Sequence, residues 1–116
     1  MPRAATTSDV FNAIAEPRRR QIIELLSRRG AVAVSILVAT LGMPQPAVSK
    51  HLGVLRKVGL VSVSKQGQQR LYQLDPKELK RVHDWAKQFE RHWSHQLDRI
   101  KQRAERRARD QRRSSN

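Results

Sequence analysis

The chain has 116 residues, 24 of them Lys or Arg against 10 Asp or Glu, and carries a net charge of +14 with no cysteine. That length suits one small domain rather than two. Without thiols there are no disulfides and no thiolate metal sites, and the cationic excess calls for a polyanionic partner.

The charge is unevenly placed. Between Glu24 and Asp75 there is no carboxylate side chain, whereas Arg28, Arg29, Lys50, Arg56, Lys57, Lys65 and Arg70 all fall there. Such a window sets up a field of one sign. A membrane surface is the competing polyanion. As read from the sequence, however, the basic residues do not lie along one long amphipathic helix with a Trp or Phe face, which an interfacial anchor requires. The most apolar run, Ala31 to Met43, is broken by Ser35, Thr40 and Gly42 and falls short of the roughly twenty residues of a membrane span. The opening residues lack the apolar core of a secretory signal, so a cytoplasmic, nucleoid-associated protein without a membrane partner is expected.

In chain order, residues 1–7 read as a disordered terminus. Ser8-Asp9 offers a cap for a short helix through Val10, Phe11, Ile14 and Ala15. Pro17 suits the first turn of the next helix, whose apolar positions are Ile22, Ile23, Leu25 and Leu26 and which ends near Arg29-Gly30. Ser35 is the expected N-cap of a third helix, Leu37 and Leu41 stand one turn apart on it, and Gly42 suits a left-handed stop. In the stretch from Met43 to Arg56, Val48, Leu52 and Leu55 share one helical face. Gln45, Ser49, Lys50 and Arg56 fall on or beside the opposite one, with Pro46 between them and no carboxylate. Two helices joined by Gly-Met-Pro make a helix-turn-helix. A helix with an apolar back and such a front can enter a DNA major groove, where these side chains reach base edges or phosphates. The blander alternative is a core helix pair whose basic side is merely solvated.

Alternation of Val and Ser from Val61 to Ser64 signals a half-buried strand, Gln66 to Gln69 a turn, and Arg70 to Leu74 a returning strand. A hairpin directly after a helix-turn-helix is a wing, which carries Lys65, Gln68 and Arg70 toward a phosphate backbone or minor groove. Asp75, Pro76 and Glu78 then form a start signal of the capping-box kind for a long final helix. Along it Leu79, Val82, Ala86, Phe89, Trp93, Leu97, Ile100 and Ala104 recur at steps of three and four, with Trp85 beside them, close to a heptad seam. A small domain cannot cover so long a seam, so a second copy is the simplest cover. Residues 8–100 are thus read as one DNA-binding and dimerisation domain, and residues 101–116 as a basic, solvated tail.

His92, His95 and Asp98 share a helix face at metal-ligand spacing, and zinc would need further ligands from a partner helix. Polar flanking of Trp93 explains them more simply, and no metal or other cofactor is expected. Ser49 and His51, two apart on a helix, do not face each other as a catalytic pair would. No phosphate loop, carboxylate pair or Cys nucleophile is present, so no enzyme is expected.

Several strings together resemble one family, the ArsR-type winged-helix repressors. They are Phe11-Asn-Ala-Ile-Ala-Glu-Pro-Arg-Arg-Arg20 with Ile22-Ile-Glu-Leu-Leu26; Leu41-Gly-Met-Pro-Gln-Pro-Ala-Val-Ser-Lys-His-Leu52; Leu55-Arg-Lys-Val-Gly-Leu-Val61; and Lys65-Gln-Gly-Gln-Gln-Arg-Leu-Tyr-Gln-Leu74. The resemblance covers roughly positions 9 to 98. It implies a mainly α fold with a small β-hairpin wing, and a homodimer joined through first and last helices, which adds Phe11 to the seam residues. It also implies repression from a pseudo-palindromic operator, with DNA contacts at Gln45, Ser49, Lys50 and His51 and on the wing. The chain departs from the metal-sensing branches. Ala-Val-Ala-Val-Ser-Ile-Leu-Val stands where one branch has Cys-x-Cys, and the Asp, His, His and Glu ligands of another are unmatched. Pro44 replaces the usual Ser or Thr cap of the recognition helix. The metal-independent branch therefore fits, with the inducer unknown. The alternatives are a non-specific architectural or RNA-binding basic protein, and a metal-responsive repressor using His92 and His95.

Overall fold

A computed structural model describes residues 9–114; the disordered terminus expected at 1–7 lies outside them. The chain divides into two compact units, Met1–Val82 and His83–Asn116.

In the first unit, α1 (Val10–Ala15) is capped by Asp9, whose carboxylate accepts from the Phe11 and Asn12 N–H groups. At its other end Arg19 Nε donates to the Ala13 carbonyl at 2.6 Å, and Arg20 Nη1 donates to that of Ile14 at 2.7 Å. Guanidinium groups thus satisfy carbonyls that a helix end leaves without partners. Helix α2 (Pro17–Arg29) has Pro17 at its first position and Glu16 as its cap, and it buries Ile22, Ile23, Leu25 and Leu26.

The first strand, β1 (Val32–Ala33), runs straight into α3 (Val34–Leu41). Sequence reading missed this strand, which is too short to show alternation. Its existence also displaces the expected cap. Ala33 occupies the N-cap position with no side-chain hydrogen bond, and Ser35 lies inside the first turn. Gly42 ends α3 with φ 64°, donating its N–H to the Val38 carbonyl. This left-handed conformation is one that glycine adopts without steric cost.

Helix α4 (Gln45–Lys57) buries Val48, Leu52 and Leu55. Its end is built by Gly59 at φ 85°, with Gly59 N–H donating to the Arg56 carbonyl and Leu60 N–H to that of Leu55. That pair of bonds closes a Schellman-type stop, and the buried Leu60 locks it into the core. Strands β2 (Val61–Gln66) and β3 (Gln69–Leu74) follow, turned by Gly67 and Gln68. The sheet order is β1-β3-β2, antiparallel throughout, with Tyr72 facing Val32 on one side and Val63 on the other.

The start of the last segment differs from the expected capping box. Asp75 does cap, accepting from the Lys77 N–H, but the turn it caps is a 3-10 turn at Pro76–Glu78. The Asp75 N–H goes to the Leu60 carbonyl at 2.8 Å, and Glu78 pairs with Arg81 at 3.0 Å. The backbone group that the box would have used is already taken by the wing's entry. Helix α5 (Leu79–Lys87) begins in the first unit, where Leu79 and Val82 lie partly buried against the core.

The expected single long helix is two. In the second unit α5 ends at Lys87 and α6 runs Glu90–Ser114. The break is a tight turn, with Phe89 N–H donating to the Ala86 carbonyl and His92 N–H to that of Phe89. The Gln88 side-chain amide takes the Trp85 carbonyl at 2.9 Å, and the Trp85 and Phe89 rings meet edge to face at 5.2 Å. An unbroken periodicity cannot reveal such a turn, because two successive helices can share one apolar register. Through residue 114 the basic tail is helical, and α6 spans about 37 Å at the usual rise. Its Trp93, Leu97 and Ile100 row against many Arg is the long amphipathic arrangement that the sequence reading held to be absent. Among the described residues no helix is long and apolar enough to cross a membrane.

Candidate nucleic-acid interface

The site begins with how α4 is held. It packs on α2, α3 and β2. Its buried residues share one stripe, and fully desolvating each is worth roughly 1.5–3 kcal/mol. With that stripe fixed, the opposite side is committed to solvent: Gln45, Pro46, Ser49, Lys50, Gly53, Arg56 and Lys57 are all exposed. Pro44 occupies the N-cap without a side-chain bond and Pro46 lies in the first turn. Pro46 has no N–H, and the Ala47 and Val48 N–H groups both donate to the Pro44 carbonyl, so the first turn is satisfied by its own backbone without a Ser or Thr cap.

Gly53 is the residue that sequence reading passed over. It sits mid-helix on the exposed side, and a Cβ there meets nothing within 4 Å. Glycine in a helix interior costs about 1 kcal/mol relative to alanine, and nothing inside the fold requires it. The signal was available, since an isolated glycine in a helical pattern weakens the helix it occupies.

The wing extends this surface. Arg56, Val63, Ser64, Lys65 and Arg70 line one shallow groove of about 220 Å³. Lys65 and Arg70 face each other directly across β2 and β3. Like charges so placed destabilise a strand pair by a few tenths of a kcal/mol or more, and Arg56 adds a third cation. Gln68, at the turn, is exposed.

His51 stands apart from the other predicted contacts. It is half-buried, and its Nδ1 is enclosed without a hydrogen-bond partner. Burial is the main reason its pKa lies below the ordinary 6.5; the Arg19 guanidinium lowers it further, with Lys50 and Arg18, while Glu16 opposes. The residue therefore belongs as much to the α2–α4 packing as to the outer face.

The remaining expectations fall in the second unit or at single positions. Trp85, Phe89, Trp93, Leu97 and Ile100 are exposed there, at 41–60% of full accessibility. Phe11, in the first unit, is likewise exposed at 39%. His92, His95 and Asp98 are exposed on α6, and among the described residues no group of three or more His, Asp or Glu converges as a metal site.

A pH dependence follows from His51. With its folded pKa depressed, the unfolded chain binds more protons between that value and 6.5, so stability falls as the pH is lowered through this window and levels off below it. Denaturant midpoints from pH 7.5 to 5 should fall more steeply for the wild type than for His51→Gln. Parallel profiles would contradict the role given to this imidazole.

Comparisons with known proteins agree with this geometry. The family model described as "Bacterial regulatory protein, arsR family" matches residues 16–63. An uncharacterized HTH-type transcriptional regulator of Methanocaldococcus jannaschii is 30% identical over 82 residues, 71% of this chain and 92% of its own. The transcriptional repressor SdpR of Bacillus subtilis is 29% identical over 82 residues, 71% of this chain and 90% of its own. The structure of an ArsR-like transcriptional regulator from Rhodococcus sp. RHA1 superposes with a TM-score of 0.67 at 31% identity, covering 87% of this chain and 92% of that one. A winged helix with a carboxylate-free outer face on α4, matched to these relatives along most of their length, places the chain in the ArsR family of helix-turn-helix transcriptional regulators, DNA-binding proteins and not enzymes.

Proposed function

We propose that the chain is a homodimeric repressor that reads a pseudo-palindromic operator with α4 and clamps the adjacent phosphates with its wing. The observation that carries this reading is the exposed α4 face together with the Arg56, Lys65 and Arg70 groove. Gln45, Ser49 and Lys50 are the base-reading candidates, and Lys65, Gln68 and Arg70 are the backbone contacts. The carboxylate-free window makes the surface attractive to any duplex, and the hydrogen-bonding groups of α4 supply discrimination.

Dimerisation is supported by the exposed row Trp85, Phe89, Trp93 and Leu97 and, separately, by exposed Phe11. Ala86 lies within the same row, and Leu79 and Val82 precede it on α5. Large apolar side chains at regular helical spacing are costly to leave in water. With two protomers, half-site centres should lie about 34–36 Å apart or a multiple of it. Repression is the activity in the name of the Bacillus relative. Since the chain has no cysteine, its release does not use a thiolate-bound metal. It acts in the cytoplasm, where its DNA is.

Two variants test the division of labour. Lys65→Ala should weaken operator and random duplexes alike and reduce the salt dependence by about one contact, whereas Gln45→Ala should mainly erode the preference for operator. If Gln45→Ala weakens both duplexes equally, or wild type shows no preference at all, a non-specific basic protein is the better description.

Gly53 gives an independent check. Gly53→Ala should raise unfolding stability by about 0.5–1 kcal/mol and weaken DNA binding, because the new methyl stands where the backbone approaches the groove. Unchanged affinity would remove Gly53 from the interface.

A further inference from the structure

Helix α6 has two unlike sides. Trp93, Leu97, Ile100 and Ala104 recur along one of them. Arg99, Gln102, Arg103 and Arg106 line one shallow hollow of about 230 Å³, and at about 100° per residue Gln102, Arg106 and Arg99 lie away from the apolar row while Arg103 flanks it. If a second copy covers the apolar side, this cationic side still faces water.

Its charge is not explained by the helix itself. From Lys101 to Arg113 there are seven basic and two acidic residues, and those whose burial is described are all exposed. Arg112 and Arg113 in the last turn suit the helix dipole. The mid-helix cations do not, because Arg99 and Arg103, Arg103 and Arg107, and Arg103 and Arg106 are like-charge neighbours that oppose helix formation. Glu105 stands four residues from Lys101 and Arg109 and Asp110 four from Arg106, which offsets part of the charge and leaves +5 over the stretch. A helix that keeps such a face is shaped for an anion in extended array.

Three occupants compete. A second copy of a chain with 24 basic and 10 acidic side chains offers no matching negative surface. An anionic membrane needs large apolar residues to insert beside the cations; on α6 these are Trp93, Leu97 and Ile100, which lie on the side given to a second copy, and past Ile100 only Ala104 and Ala108 remain. A duplex presents phosphates in a regular line, and it is already this protein's partner. Once a protomer is seated, tethering makes nearby phosphates available at high effective concentration.

We propose that the Arg99, Arg103 and Arg106 face of α6 is a second, sequence-independent duplex-binding surface that takes phosphates of the DNA flanking the operator. This rests on operator recognition by α4 and the wing. It adds salt-sensitive affinity without adding sequence preference.

The test compares full-length wild type, a triple variant Arg99→Gln, Arg103→Gln, Arg106→Gln, and the corresponding triple Lys variant. Each is titrated at several salt concentrations against an operator duplex trimmed to the footprint of α4 and the wing, and against the same operator with long random flanks. Wild type should bind the long duplex about tenfold or more tightly than the trimmed one. The Gln variant should lose that gain, with a salt slope on the long duplex lower by about two to three per protomer, since each phosphate contact contributes about 0.9. Its affinity for the trimmed duplex should be unchanged. The Lys variant should retain most of the gain, because point charges suffice. Equal affinities of wild type for the two duplexes, with operator preference intact, would overturn this surface while leaving the operator reading standing. Loss of operator preference on the trimmed duplex would instead fail that reading. Binding of phosphatidylserine-containing vesicles that the Gln variant loses, with DNA affinity unaltered, would also overturn the proposal in favour of lipid. Circular dichroism of the variants checks that α6 remains helical; if the triple Gln variant unfolds, the three single Gln variants decide, each lowering the salt slope on the long duplex by about 0.9, and unchanged slopes in all three would overturn the proposal.

Discussion

Because Val48, Leu52 and Leu55 are withdrawn from water against α2 and α3, the orientation of α4 about its own axis is no longer free. A rotation that exposed any of them would cost about 1.5–3 kcal/mol per side chain, more than any exposed hydrogen bond could return. Every outward-facing residue of α4 is fixed by that burial. The two ends of the helix are fixed by different means: Gly42 and the Pro44 cap at the start, and Gly59 with buried Leu60 at the finish. The Leu60 carbonyl then accepts from Asp75, so the same residue that terminates α4 also anchors the base of the wing. Helix face and wing are therefore placed by one connected set of core contacts.

The exposed surface set by this core is built against its own stability. Lys65 opposes Arg70 across the hairpin, Arg56 shares their groove, and Gly53 weakens the helix it occupies. Each departure is small, and each is the kind a chain retains when an anionic partner closely approaches. By contrast, Arg19 and Arg20 are cations with structural employment, tied to the α1 carbonyls. The sequence alone does not separate these two kinds of arginine; the hydrogen bonds do. Arg18–Arg20 could have been mistaken for a binding patch on composition, whereas Arg19 holds α1 and depresses the pKa of His51.

Periodic features were legible without coordinates. The α2 and α4 core positions, the Gly42 stop and the presence of the hairpin follow from spacing and from residues with one strong conformational preference, although the turn is tighter than Gln66 to Gln69, which pair as the last rung of the strands. What escaped depends on pairing between distant segments. Strand β1 exists because Val32 and Ala33 meet Tyr72 and Leu71, and two residues carry no pattern of their own. Because that strand runs straight into α3 at Val34, Ala33 takes the N-cap position and Ser35 falls inside the first turn. Asp75 kept its capping role yet lost its box, since its N–H was claimed by Leu60 across the fold. The turn between α5 and α6 was hidden because Ala86, Phe89 and Trp93 preserve the apolar spacing through it. The exposure of Gln45, Ser49, Lys50, Arg56, Lys65 and Arg70 was readable from charge and spacing, but the half-burial of His51 was not, because it depends on packing between distant segments.

The account is tested most directly by following the backbone amide resonances of the protein while a duplex selected from genomic fragments is added. Perturbations should concentrate in residues 45–56 and 64–70 with the operator, and those of 45–53 should diminish when its sequence is scrambled while the wing continues to respond. Shifts confined to α6, or a response of α4 that is the same for both duplexes, would contradict the claim that this helix is held by its core in order to read DNA.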